Sequence, residues 1–479
     1  MRIPLLGGAY TTQSVFVDAQ RCINLYPEKN PEDAEAQLAH YCTPGLTVVG
    51  SVPGGSGWRG LYYSSVNQTF YGVCGTGVYT ISGSFLMTQI GTIASGTTPV
   101  SMIDNGIQLV IVAGQTGYYV TLSTNVVTQI TDSAFYGSDR VGYIDTFFVF
   151  NQPNSKNWYT SLSNSITFDP TYIVAKTGST DQLVAAVTNH REIYVVGERT
   201  TEVFYDAGAS GFPFATIVGS YIEHGCMAKY SIAVHDNYVY FLSQDRDGAP
   251  SAVAVGPDGG YRAKRISTPA VEQEWQGYVN PTDAVSYCYK QAGHVFYVLN
   301  FTTDDKTWVY DIGENLWHQR DDIDSNGVSH RHPGQCHAYA FGFNIVGDYQ
   351  NGNLYKYDLN NFTNNGNTVR RLRTLPHVLD KDTGKKLIYN RFSADIEVGT
   401  VSGTATSTQS ELTLRWSYTR GKSWLNPVIQ NLGSTGQYIL QPTWRRLGVG
   451  RSLTLELSWS IPAPIALTGA WLDITPSVT

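Results

Sequence analysis

The chain has 479 residues, 32 basic and 39 acidic, for a formal net charge of −7, with charged residues at only 15% and aromatics at 13%. Such an acidic balance repels nucleic acid over most of the surface, which argues against a dedicated DNA binder but not against a conduit that DNA passes without sticking. Six cysteines with no C-x-x-C pair exclude a zinc ribbon or a disulfide scaffold and suit free buried thiols in a reducing cytosol.

The opening "MRIPLLGGAYTTQS" is broken by Pro and too short for a signal-peptide core, and no later run approaches ~18 apolar residues. The chain is therefore expected to be soluble, with no membrane span, and not exported by the general pathway. Residues 1–57 read as an irregular N-terminal arm ending in the flexible "VPGGSG". The arm has too little continuous apolar sequence for a core of its own, so it should dock on the rest of the chain or on a neighbouring subunit. Its acidic loop, Glu28, Glu32, Asp33 and Glu35, is a candidate interface.

From residue 58 to 365 the pattern is strand, polar turn, strand, with no long helical periodicity. The leading strands centre on Tyr71, Ile111, Phe148, Tyr194, Tyr240, Tyr297 and Ile345, spaced by 40, 37, 46, 46, 57 and 48 residues. That spacing is close to the ~40–50-residue period of a propeller blade. The predicted fold class is all-β, a β-propeller-like ring of about six to eight small antiparallel sheets, with two stacked sandwiches as the alternative topology. A Tyr-Asp pair closes the second strand at Tyr205-Asp206, Tyr310-Asp311 and Tyr357-Asp358. An aromatic follows each pair, at Phe212, Trp317 and Phe362. In "TWVYDIGENLWHQR" the aromatics are expected to fill the wedge between radial sheets while the Asp carboxylate accepts turn N–H groups, as in a kelch-like blade.

Within this region "SHRHPGQCHAYAFG" holds His330, His332, Cys336 and His337. Their spacing matches no structural zinc pattern, so a loop cluster without metal is the expected reading. Asp206, Asp245, Asp247, Asp311 and Asp348 are the carboxylates a glycosidase would have to pair across a sugar, but each sits at a turn or strand end, where capping is expected instead. No nucleophile elbow, P-loop or dinucleotide fingerprint appears.

Residues 366–479 change to longer alternating strands, read as a β-sandwich-like C-terminal domain. "SYTRGKSW", Ser417 to Trp424, is an Asp-box-like hairpin with Thr419 in the Asp position. Before it lies the one basic stretch, Arg370, Arg371, Arg373, Lys381, Lys385, Lys386 and Arg391. With the acidic loop it forms the candidate interface, expected to set register and association rate. Reversing Arg370, Arg371 and Arg373 to Glu is expected to slow assembly at low salt.

Taken in order, "CINLYPE … YCTPGL", "WRGLYYSSVNQTFYGVCGTGVYTI", "GERTTEVFYDAG", "WVYDIGENLWHQR" and "LRWSYTRGKSW … TWRRLGVGRSLTLELS" resemble the packaged-DNA stabilisation or tail hub proteins of short-tailed bacteriophages, over nearly the whole chain. Relatives often carry an acidic residue where this chain has Thr419. The resemblance implies a virion structural protein with no catalytic, cofactor-binding or metal residues to carry over. It would be assembled in the host cytoplasm into a homo-oligomeric, hexameric ring of the phage tail below the portal–adaptor protein. That ring would retain packaged DNA, attach tailspikes or tail fibres and a tail needle or plug, and form the ejection conduit that DNA passes without specific binding. The alternative is a glycan-binding or glycan-cleaving tail protein, motivated by the aromatic content and the imperfect Asp-box.

Overall fold

In the computed structural model, which describes all residues except 4, 6, 32–37, 259, 400–409, 434, 478 and 479, the repeated units form seven four-stranded antiparallel blades, five of them separate sheets and two of them parts of larger ones. Six are continuous in sequence, at residues 58–92, 100–129, 141–175, 183–216, 233–265 and 285–323, and are called blades 1 to 6. Blade 7 joins three consecutive strands, Gly334–Ala340, Phe343–Asp348 and Asn353–Asp358, to Gly45–Ser51 from the other end of the chain. The predicted ring thus has seven blades.

Tyr71, Ile111, Phe148, Tyr194, Tyr240, Tyr297 and Ile345 each lie on the second strand of a blade, not the first. A second strand has partners on both edges and a neighbouring blade on each face. Its sequence is therefore a run of buried β-branched and aromatic residues, as in Gln108–Ala113 and Glu192–Gly197. Between successive blades lies an apolar core, and the one between blades 5 and 6 is continuous with that of the C-terminal strands. Tyr71 packs with Ile111, Val110 with Phe150, Val149 with Val195 and Tyr194 with Phe241. Tyr240 packs with Tyr297, Val298 with Val346, and Ile345 with Trp58, which returns to blade 1 and closes the circle.

In blade 6, Tyr310 and Trp317 are direct cross-strand partners with ring centroids 5.1 Å apart. Trp317 also meets Trp275 at 5.2 Å, and its indole N–H donates to the carbonyl of Ile266 at 2.8 Å. Each such burial stabilises the fold by about 1.5–3 kcal/mol. Asp311 accepts from the N–H groups of Gly313 and Glu314 at 3.0 and 3.2 Å, as the turn reading expects. The Tyr-Asp pair of blade 4 differs: Tyr205 is exposed, and its neighbour Phe204 fills the wedge. Trp275 belongs to the eight-residue helix Pro269–Gln276, started by the Thr268 hydroxyl accepting from Val271 N–H and by Pro269 at its first position.

The C-terminal residues form the expected sandwich, but it is composite. One sheet orders Thr443–Gly450, Leu387–Ile396, Leu467–Pro476, Leu38–Cys42 and Leu25–Lys29. The facing sheet orders Arg371–Thr374, Ser452–Trp459, Glu411–Ser417 and Val428–Asn431, and Cys22–Ile23 ties it to the last strand of blade 6. Leu387, Tyr389 and Phe392 of the first sheet pack with Leu412, Leu453, Leu455 and Leu457 of the second. Residues 1–57 are accordingly not a separate arm. Apart from the small ribbon Tyr10–Thr11 with Ala19–Gln20, their strands are distributed between the sandwich and blade 7, so the expected boundary at 57 corresponds to no structural division.

Candidate interaction surfaces

The basic stretch divides into two unlike parts. Arg371 and Arg373 are 0% exposed, which removes them from the candidate interface. Their strand is paired on both edges, by Cys22–Ile23 and Ser452–Trp459, and all four of its residues, Arg371–Thr374, are buried, so both of its faces are covered as well. Arg371 donates to the carbonyls of Val369, Ile461 and Phe362 at 3.0, 3.1 and 2.9 Å. Arg373 donates to the carbonyls of Gly8 and Gly7 at 2.8 and 3.1 Å and to Gln20 Oε1 at 2.6 Å, clasping the N-terminal segment. Beside it, burial pushes the Cys22 thiol up to about 11. Arg370 is partly exposed but pairs with Asp321 at 3.3 Å. Lys381, Lys385 and Lys386 are exposed, on a turn whose N–H groups at Asp382 and Thr383 are capped by Asp380 at 3.1 Å.

Of the acidic loop, Glu32, Asp33 and Glu35 lie outside the described residues. Glu28, partly exposed, reaches blade 6, where its Oε2 is 3.4 Å from His294 Nε2 while His294 Nδ1 is 2.6 Å from Asp311 Oδ2. The bond to Asp311, and then Glu28, raise the His294 pKa against the opposing effect of burial. Protonation therefore favours the folded state: this contribution is fully present below the unfolded value of about 6.5 and lost as pH rises through the folded one. The stability advantage of the parent over His294→Gln, measured by urea unfolding, is expected to shrink as pH rises above about 6.5. An advantage constant over that rise would mean that the ring stays neutral.

His330, His332, Cys336 and His337 do not converge. His330 sits at the rim, 2.7 Å from Asp305. His332 is buried and pushed down to about 3 by desolvation, with Nδ1 accepting from Gly334 N–H at 3.1 Å. His337 is held near 4 by burial, stacks on Tyr287, and has Nε2 3.0 Å from Asn344 Oδ1. Burial pushes the Cys336 thiol up to about 12. No three His, Cys, Asp or Glu side chains among the described residues are arranged to hold a metal.

Of the carboxylates weighed for sugar chemistry, Asp206, Asp245, Asp311 and Asp348 serve turns instead, while Asp247 contributes only its N–H to the turn that Asp245 caps. Asp206 accepts from Gly208 N–H at 2.8 Å, Asp245 from Asp247 and Ala249 at 3.0 and 2.7 Å, and Asp348 from Gln350 at 2.8 Å. In the Asp-box-like hairpin the Ser417 hydroxyl accepts from Thr419 and Gly421 N–H at 3.1 and 2.9 Å, and Thr419 Oγ1 accepts from Ser423 N–H at 2.8 Å. A hydroxyl thus does the capping expected of the missing carboxylate.

Two features had no signal in the one-dimensional pattern. The first is a set of exposed apolar side chains in the C-terminal region, Ile429 of the outer strand Val428–Asn431, Tyr438 and Ile439, at 52%, 68% and 99% exposure. Trp444 holds that strand by donating to the carbonyl of Val428 at 3.0 Å. The second is a cavity of about 510 Å³ at the propeller axis, where loops leading into the first strands of the blades meet.

A family model described as bacteriophage P22 Gp10, beta-propeller, matches residues 1–361. No curated protein matches the chain. Among solved structures it is similar to the Neurospora crassa Pan2 WD40 domain, at 7% identity and a TM-score of 0.41 over 66% of this chain and 96% of that one. It is similar also to the extracellular domain of the putative one component system BT4673 from B. thetaiotaomicron, at 10% and 0.45 over 75% and 45%. A third is the WD40 beta propeller domain of Doa1, at 12% and 0.40 over 66% and 98%. Likenesses this distant carry nothing about what the chain binds.

Proposed function

The chain belongs to the family of the bacteriophage P22 Gp10 β-propeller, and from that membership we propose that it is a non-catalytic structural protein of a phage tail. The match over residues 1–361, which takes in all seven blades and the strand that closes them, carries this reading. In its finer form the protein assembles as a hexameric ring below the portal–adaptor, retains packaged DNA and gives purchase to tailspikes or fibres and a needle or plug. The turn-capping carboxylates favour a structural role over a catalytic one, and the net charge of −7 suits a lumen through which DNA slides. The exposed side chains of Ile429, Tyr438 and Ile439 are the kind of surface that assembly covers.

Glu28 and the hairpin lysines Lys381, Lys385 and Lys386 retain a place in the proposed assembly contact. Exposed pairs contribute only about 0–1 kcal/mol each, so they act on register and rate. Purified protein mixed with portal–adaptor complex is expected to add a coaxial extension in negative-stain images. Reversing the three lysines to Glu is expected to slow its appearance at low salt, with the deficit shrinking as salt rises. A stable monomer that never joins the complex would overturn the assembly role. Unchanged kinetics at both salt levels would return the hairpin to plain solvated surface.

A further inference from the structure

The axial cavity is lined by Arg59, Lys229 and Arg331 among residues from blades 1, 2, 6 and 7 and the turn entering blade 5. It shares Arg59 and Tyr230 with a smaller space of about 140 Å³ that adds Arg140, and Lys229 and Thr282 with one of about 370 Å³ lined by Gln115, Asn154, Gln182 and Gln244 as well as Asp139 and Glu198. Arg59 donates to the carbonyls of Thr98, Gly75 and Ala94 at 2.8, 3.1 and 3.1 Å. Arg140 Nη1 donates to the carbonyls of Lys229 and Ile232 at 3.1 and 2.8 Å. Arg331 donates to Gln335 Oε1 at 2.6 Å, and its guanidinium lies 3.6 Å from the Tyr349 ring centroid. Main-chain oxygens, a side-chain amide and a ring therefore hold these cations in place. Among the described residues no Asp or Glu side chain makes an ion pair with any of the three guanidiniums.

Of the carboxylates nearby, Glu198 is exposed at the space of about 370 Å³, whereas Asp139 and Asp283 are engaged. Asp139 neutralises Lys229 at 2.7 Å. Asp283 accepts from the hydroxyl and N–H groups of Thr302 and Thr303, at 2.5–3.3 Å. Three guanidiniums without an ion pair among the described residues, with Asp305 and Asp283 acting on Arg331 only from farther away, make the site locally positive in a chain of net charge −7.

We propose that the axial mouth binds an acidic peptide segment of another protein, with side-chain carboxylates seated beside Arg59 and Arg331 in the larger cavity and beside Arg59 and Arg140 in the smaller one. A sugar acid would seek an open aromatic face, and none is offered: Trp58 is buried, Tyr349 is covered by Arg331, and Lys229 Nζ stands 5.3 Å over Tyr230. A cavity of this volume takes side chains and not a nucleic acid duplex. The amides lining the space of about 370 Å³ offer donors and acceptors matched to a peptide main chain. The inference stands apart from the assembly role, because its test reads peptide binding by the isolated full chain and not ring formation.

Calorimetric titration at low salt with acetylated, amidated tetraglutamate is expected to show saturable binding, and tetraglutamine none. Arg331→Gln and Arg140→Gln, each checked for an unchanged melting temperature, should weaken tetraglutamate about tenfold or more, whereas the remote Lys386→Gln should not. If either variant fails to fold, hydrogen exchange of the parent decides: tetraglutamate should protect the amides of residues 96–98 and 229–231. Absent binding, binding indifferent to both arginine variants, missing protection, or a preference for galacturonate or a single-stranded DNA decamer would each overturn the proposal.

Discussion

Replacing Arg373 with Met is expected to cost about 3–5 kcal/mol of stability, because a volume-matched apolar chain leaves buried carbonyl oxygens and an amide oxygen without donors. The group is fully buried and binds the carbonyls of Gly7 and Gly8 and the side chain of Gln20, more than 350 positions away in sequence. Its loss should free the N-terminal segment before the propeller opens. Limited proteolysis of the variant should cut within residues 7–20 while the blades remain intact, and urea unfolding should report the loss. A change below about 1 kcal/mol would show that the clasp contributes little. The triple reversal of Arg370, Arg371 and Arg373 to Glu buries two acidic groups against carbonyl oxygens. Its expected outcome is therefore failure to fold, not the salt-dependent delay that exposed arginines would produce.

The contrast between these arginines and Lys385 or Lys386 marks where sequence reading stopped. A charge run has the same appearance whether its strand is covered on both faces or forms an open turn. What buries Arg371 and Arg373 is a pair of neighbours drawn from residues 22–23 and 452–459. Blade periodicity was legible because each second strand is buried on both faces and so writes its position as an apolar run. First strands, with mixed exposure along the axis, and short fourth strands such as Lys264–Arg265 leave a weaker trace. The hydroxyl cap at Thr419 was hidden for another reason, since its motif is defined by a carboxylate while the geometry needs only an acceptor. The axial arginines escaped notice because Arg59, Arg140 and Arg331 stand far apart in sequence and meet only when the ring closes.

Leu46→Asp is expected to abolish cooperative folding, since ring closure depends on a strand that sequence order places before blade 1. Leu46 is 0% exposed, pairs directly with Tyr357, and packs in the core between blades 6 and 7 with Tyr287, Val298 and Val346. Its carbonyl also accepts from Asn365 N–H at 2.9 Å, and at Gly45 a Cβ would meet the carbonyl oxygens of Asn361 and Thr363 at 2.5 Å. The strand is fixed on both edges and at its start, with no room to slide away and expose a charge. An unpaired carboxylate there costs several kcal/mol, comparable with the whole stability of many domains. Leu46→Val should lose only about 1 kcal/mol, and Val48→Asp, at a partly exposed position on the same strand, should change stability by about 0.5 kcal/mol or less. Thermal unfolding followed by circular dichroism separates the three. A parent-like transition for Leu46→Asp would mean that blade 7 holds with three strands, and that the closure of the ring lies in the packing of Trp58 against Ile345 instead.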